Sequence, residues 1–585
     1  MENDKNIEQP FFDYCKDMFS NEAYFGQNAP LAMILDSYSE ELINFFKGPT
    51  KSLPDFKDKK VMKDLEDLCN RFGKALAAEL NMEDIKFGID PDLRLNACSY
   101  PMYFYCDGMS VKQDGKSKRK YIDIDKYIDL EDIIQTKTGF KFKNSKGKIG
   151  CIICNVGTIK MVNSPRELSG IICHEIGHMM QHGIFGTMKC YADCLTARDL
   201  EIMKFRTMFK GTTTYTGAFL SNKQEMAKQN FFSTFIRIIL FFFLDTINIV
   251  STIPYELTFY LFSFIFFPNI LDVGIFAALN KKLKDKIGRM SDETKHKLSD
   301  HLDEIEKGDE EENAKIINNW KQFKAYSKQT PEEKKKIFQK EIDDRKKGFK
   351  DLPNYDETIN ANEDELEKKI KKNIGIVFLR QLFPITEMIY GMENQIVDLI
   401  TLNHYSKHYI NDSFFLRKYE NFADIFSSSY GYGLEMVKFA HSTNKQVLST
   451  IDEVYDHSLL FKIPLLNVIG KSVRYTELRD TYLTDSHGTY DQRVTAIYTA
   501  YVHEVETNED LTPAQKKELL KSIELIKTAD DEYYDSLKRD GFCMKFYNRL
   551  IDHRIKGTDK TVEEKVLGPM EEICKEELSK RKPKK

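Results

Sequence analysis

The chain has 585 residues, with 86 basic and 91 acidic side chains and a formal net charge of −5. That balance gives no electrostatic case for a nucleic-acid partner, and the length exceeds what one hydrophobic core supports, so roughly two to four structural units are expected. The opening MENDKNIEQPFF lacks the apolar stretch of a secretory leader, and 11 cysteines without short, even spacing suit a reduced, intracellular protein better than a disulfide scaffold.

Residues 1–84 read as an N-terminal helical region, with apolar spacing in ILDSYSEELINFF and MKDLEDLCNRFGKALAAEL. From Ile85 to Val162 the texture turns β-branched and aromatic. KYIDIDKYI and KIGCIICNVGTIKMV read as strands. SPRELSGIICHEIGHMMQHG then reads as a helix. Ser164 is the N-cap, Pro165 the first helical residue, Glu167 the partner of Ser164 in a capping box, and Gly183 the stop. Residues 85–230 are accordingly the first half of a mixed core.

Residues 231–279 are the most apolar part of the chain and form a hydrophobic hairpin broken at Pro254. Each half has about the 20 residues that cross a bilayer, which allows membrane association through 231–279. Arg237, Asp245 and Asp272 interrupt the runs and leave a buried or interfacial hairpin open. Residues 280–373 turn to Lys, Glu and Asp and read as a charged helical insertion facing solvent. Residues 374–500 return to apolar-periodic helices as the second half of the core. Residues 501–585 read as a helical C-terminal region containing a helix started by Thr512-Pro513, and end in the basic SKRKPKK.

The chemistry concentrates in CHEIGH. Residues four apart on a helix share a face, so His174 and His178 can point at one metal ion, while Glu175 reaches the water bound to it. Zinc lowers the pKa of such water to about 7, and a glutamate can take its proton as it attacks a carbonyl. A third ligand is needed. His182 lies a further turn along, about 6 Å up the axis from His178. Asp199 and Glu201 lack a supporting motif, and His404 and His408 form an incidental i, i+4 pair. Glu420 in YENFADIFSSSYGYG is the better candidate, with Asp424 one turn on and able to hold a ligand histidine through its other ring nitrogen. Cys151 and Cys154 have CxxC spacing, with Cys190 and Cys194 nearby, but residues three apart in a strand face opposite sides, so buried free thiols are expected.

HExxH, a later E-x-x-A-D, and a small-residue stretch ending in Gly-Tyr-Gly together resemble the gluzincin peptidases, the group that includes the HtpX membrane proteases and the CAAX prenyl endopeptidases. Leu95-Asn96-Ala97 resembles that family's Asn-Ala element. DSHGTYDQRVTAI resembles its late His-Pro-x-x-x-x-Arg element, with Gly488 in place of proline. The resemblance implies a Zn2+ cofactor held by His174, His178 and Glu420, with Glu175 as general base and Asp424 orienting a ligand histidine. It also implies His487 or Arg493 as oxyanion stabiliser, and an edge strand around Gly150 to Val162 on which an extended peptide pairs. The expected fold is α+β and predominantly helical: a zincin-like metallopeptidase core with a small sheet, carrying the hairpin and the insertion. The expected function is zinc-dependent hydrolysis of peptide bonds in an extended peptide or protein substrate, on the cytoplasmic side if the chain is membrane-associated. The competing readings are a catalytically inactive zincin-fold scaffold and a membrane-associated interaction protein.

Overall fold

The computed structural model describes residues 23–47, 53–93, 95–100, 133–180, 219–220, 223–241, 243–246, 329–351, 367–400, 417, 420–456, 458–481 and 490–536. The fold is predominantly helical, with a small mixed sheet, in keeping with an α+β chain. Two amphipathic helices come first, α1 (Pro30–Lys47) and α2 (Lys59–Glu79). Asp58 caps α2 by accepting from the Lys60 backbone N–H. Strand β1 (Asp84–Asp90) follows, then β2 (Ala97–Tyr100), the hairpin strands β3 (Ile133–Thr136) and β4 (Gly139–Phe142), and β5 (Ile149–Asn155).

The sheet order is β1-β5-β2, with β1 parallel and β2 antiparallel to β5. All seven residues of β5 are buried, as its unbroken apolar run requires of a central strand. It is therefore not the edge expected from sequence. Among the described residues the outer strand beside it is β2. Alternate side chains of β5 feed two cores. Ile152 and Cys154 join the large cluster under α1, α2 and the HExxH helix, whereas Ile149, Cys151 and Ile153 meet Phe338 and Ile342 on the opposite face. The two cysteines thus lie on opposite faces as free, buried thiols, and burial pushes both well above the ordinary thiol value.

The expected strand does not extend to Val162. From Val156 to Met161 the chain forms a short helix, α3. Val156 and Ile159, three apart and both fully buried, pack into the core from one helical face, and this tertiary packing overrides their β propensity. KYIDIDKYI lies outside the described residues.

The charged stretch also departs from expectation. Its segment Pro331–Lys346 is a helix, α6 in a numbering where α4 is Pro165–Met180 and α5 is Lys223–Lys228. Rather than projecting into solvent, α6 covers the second face of the sheet. Phe338 and Ile342 form its narrow apolar stripe, and Lys335–Glu83, Arg345–Asp90 and Lys346–Glu66 ion pairs fasten its flanks. A strand apolar on both faces needs a cover on both, and this helix is the second cover. Helix α7 (Ile374–Ile400), a helix over 420–429 (α8), α9 (Gly433–Asp456), α10 (Pro464–Thr481), α11 (Tyr490–Thr507) and α12 (Pro513–Ser536) complete the described fold. The predicted start of α12 carries a capping box, with Thr512 and Gln515 exchanging hydrogen bonds. Of the hydrophobic hairpin, residues 231–241 and 243–246 are described and helical, and among the described residues no helix is long and apolar enough to cross a membrane.

Candidate metal centre

Helix α4 starts where the sequence predicts. Ser164 Oγ accepts from the Glu167 N–H at 3.3 Å, while the Glu167 carboxylate accepts from the Asn163 N–H at 2.8 Å, one residue earlier than a standard capping box. The start is anchored from the far end of the fold as well, because Arg166 bonds Glu435, Asp36 and the Gly431 carbonyl. Every residue from Glu167 to Met180 is buried, so the motif sits in the protein's interior.

Against α4 lies α8, and small residues set the spacing. A Cβ at Gly177 would stand 2.9 Å from Ala423 Cα, closer than real side chains approach. About two turns earlier on α4, Ser427 donates to the Gly170 carbonyl at 2.9 Å. Helix α8 ends at Gly431, whose φ of 82° falls in the left-handed region. The N–H groups of Gly431 and Tyr432 return to the carbonyls of Ser428 and Ser427 in a glycine C-cap. The chain then reverses into α9, which packs back on α4.

This close approach brings Glu420 to the two histidines across 246 positions of sequence. Glu420 Oε2 is 3.2 Å from His174 Nε2 and 3.6 Å from His178 Nε2. The two rings meet edge to face with centroids 4.6 Å apart. Four ligands around zinc at about 2.0–2.2 Å stand about 3.3–3.6 Å from one another, so the two separations bracket a tetrahedral edge. Glu175 belongs to the same group, since one donor atom each from His174, Glu175 and His178 lie within 4.8 Å of one another. Two imidazoles and a carboxylate suit a borderline divalent cation. The donor set could hold such a metal ion.

Behind the donors, Asp424 is fully buried, with Oδ1 2.9 Å from His174 Nδ1. The contact is close, though its angle falls short of a well-aligned hydrogen bond. Arg493, from α11, donates to both Asp424 oxygens, each at 2.7 Å, in the bidentate geometry that makes such pairs strong. Burial opposes ionisation of Asp424, but Arg493 and His174 outweigh it and hold the carboxyl well below its ordinary range. Burial likewise opposes ionisation of Glu420, and the charges of His178 and His174 overcome it. Burial would push the His174 imidazole down, yet Asp424 and Glu420 lift it to about 10. These two carboxylates therefore call for positive charge between them, which either a proton or a metal cation can supply.

The structure thus brings together His174, Glu175, His178, Glu420, Asp424 and Arg493. Arg493 places its fork on Asp424, the carboxylate beside His174 Nδ1. That link was not legible from sequence, where the two residues lie 69 positions apart. His487, His182, Asp199, Glu201, His404, His408, Cys190 and Cys194 lie outside the described residues. Burial first, and the charge of Glu175 second, push the Cys98 thiol of β2 up to about 11. Strand β2 packs directly on α4. Comparison of the chain with models of known families, with curated proteins and with solved structures found no match.

Proposed function

We propose that the chain is a zinc-dependent endopeptidase of gluzincin type, related to the HtpX and CAAX prenyl endopeptidase group. The observation that supports this most is the meeting of Glu420 with both histidines of the HExxH helix at tetrahedral-edge distances. In this reading His174 Nε2, His178 Nε2 and a Glu420 oxygen hold the ion. When bound, zinc supplies the Lewis acidity that makes water nucleophilic near neutral pH. Glu175 takes the proton from the attacking water and passes it to the leaving amine. Asp424 fixes the orientation of the His174 ring and leaves Nε2 free to donate its lone pair, and Arg493 fixes Asp424. Burial of His174, Glu175, His178, Glu420 and Asp424 limits bulk water, so each charge acts in a medium of low dielectric constant.

The substrate would be an extended segment added as a strand to the outer edge of β2, beside Glu175, in place of the β5 edge expected from sequence. Only an unfolded stretch or a chain end can offer its backbone in this way. The test is Glu175→Gln, assayed on an unfolded protein substrate with metal content measured in parallel. Cleavage lost by at least about a hundredfold with metal retained is the expected result. Cleavage at the parent's rate would remove Glu175 from the reaction.

A further inference from the structure

Helix α6 belongs to the charged stretch, outside the motifs that carry the gluzincin resemblance. Its seat is on β1. A Cβ at Gly88 would stand 2.7 Å from the Ile342 side chain, so α6 lies almost against the strand backbone. The Lys335–Glu83 and Lys346–Glu66 pairs hold it to the start of β1 and to α2. Arg345 reaches further. Its guanidinium donates to Asp90, the last residue of β1, to Glu341 one turn back on α6, and to the Tyr100 hydroxyl at 3.0 Å. Tyr100 is the last residue of β2. One side chain therefore links the strands on either side of β5. The Tyr100 hydroxyl in turn donates to Glu341 at 3.3 Å, and its ring centroid lies 6.2 Å from that of Phe338. Burial first pushes this hydroxyl up to about 12, so it keeps the proton that the bond to Glu341 needs.

Strand β2 depends on such support. It has four residues, all half-buried, and among the described strands it pairs with β5 alone. A short strand bonded along one side opens from its ends at little cost. Its two faces rest on different elements. Ala97 packs against the core under α4, whereas Cys98 and Tyr100 pack against the cluster that contains Phe338 and Ile342 of α6. An incoming segment gains most when the strand it joins is already extended. Each residue that must be ordered on binding costs about a five- to thirtyfold loss of affinity.

We propose that Arg345 is a positioning residue for substrate: through Tyr100 it keeps β2 extended, and so sets how tightly an unfolded segment binds beside the metal centre. This role rests on β2 as the receiving edge in the peptidase reading, and it concerns binding rather than bond cleavage. Loss of the guanidinium should raise KM and leave kcat and zinc affinity near the parent's, the split expected when ground-state and transition-state binding fall together.

The experiment is fluorescence anisotropy of fluorescein-labelled, reduced and carboxymethylated lactalbumin, a permanently unfolded chain, with the full-length Glu175→Gln protein reconstituted with zinc. Binding is thereby read without cleavage. Three substitutions are added singly to that protein. Arg345→Met removes the fork and keeps the stem, and Tyr100→Phe removes only the hydroxyl. Lys335→Met removes one charge of α6 and its pair at the start of β1. Arg345→Met and Tyr100→Phe are expected to weaken binding at least about fivefold, and Lys335→Met to change it less than about twofold. Amide hydrogen exchange at 97–100 should quicken in the first two alone, with zinc content equal in all four proteins. Failure of the Glu175→Gln protein to bind the unfolded chain, unchanged binding after Arg345→Met and Tyr100→Phe, or an equal loss after Lys335→Met would overturn the role of Arg345. The expected binding pattern in a protein whose parent cleaves nothing would leave that role standing and remove the peptidase reading.

Discussion

Two glycines of the metal helix should respond in opposite ways to the same substitution. At Gly177 an added methyl meets Ala423 Cα at 2.9 Å, Phe426 Cβ at 3.1 Å and Ala423 Cβ at 3.3 Å. The first of these is backbone of the helix that carries Glu420. Carbon atoms need about 3.5–4.0 Å, so that helix must withdraw by roughly half an ångström or more. The alanine gains about 1 kcal/mol of helix propensity and loses about 1–3 kcal/mol to overpacking, a net change of about 0–2 kcal/mol. Metal binding is less tolerant, because ligand distances hold within about 0.2 Å. Gly177→Ala should therefore weaken zinc at least about tenfold while costing little in folding. At Gly170 the nearest atoms are Met436 Sδ and Tyr432 Cβ, both at 3.4 Å and both in side chains. Gly170→Ala should leave zinc affinity unchanged and stability equal or up to about 1 kcal/mol higher. Competition with a chromogenic chelator, together with thermal melts, measures both. Equal zinc affinity in parent, Gly177→Ala and Gly170→Ala would refute the claim that the packing of α4 on α8 sets the site.

Removing Arg493 should be felt in both stability and metal binding. Arg493→Ala leaves the Asp424 carboxylate buried without its main partner. Breaking such pairs costs about 3–5 kcal/mol, and loosening support behind a metal ligand costs about 10–100-fold in affinity; equilibrium unfolding and metal titration would show either effect missing. The metal-free protein should also lose stability in base. The folded value of His174, about 10, lies above its unfolded value near 6.5. Its contribution is thus complete below about 6.5 and is lost as pH rises through about 10. Asp424 has the opposite sign: its folded value is depressed, so its contribution is present above about 3.9 and lost as pH falls below that. Melts of chelator-treated protein across pH test both limbs, and a flat alkaline limb would mean that His174 is not held protonated.

Much of the centre could be read from the chain because its parts are local. Ser164, Pro165 and Glu167 mark the helix start, and i, i+4 spacing puts His174 and His178 on one face. Glu420 and Asp424 stand one helical turn apart in the sequence, but the resemblance is what favours them over two ordinary surface acids, because no local rule joins segments 246 positions apart. The Arg493–Asp424 bond was missed for the same reason, since pairing across helices depends on how they pack. The edge strand was misplaced for a different reason. IGCIICN is continuously apolar, which is the mark of a central strand, and that signal was available. The charged segment misled because two apolar residues, Phe338 and Ile342, decide the packing of α6 against many lysines and glutamates.

The most direct test of the account is metal content by mass spectrometry on the purified full-length chain, parent beside Glu420→Ala, each after reconstitution with zinc. One zinc per chain in the parent, lost or strongly weakened in the variant, is the predicted result and would join the two distant segments into one site. A parent without zinc, or a variant that keeps it at full strength, would contradict the central claim.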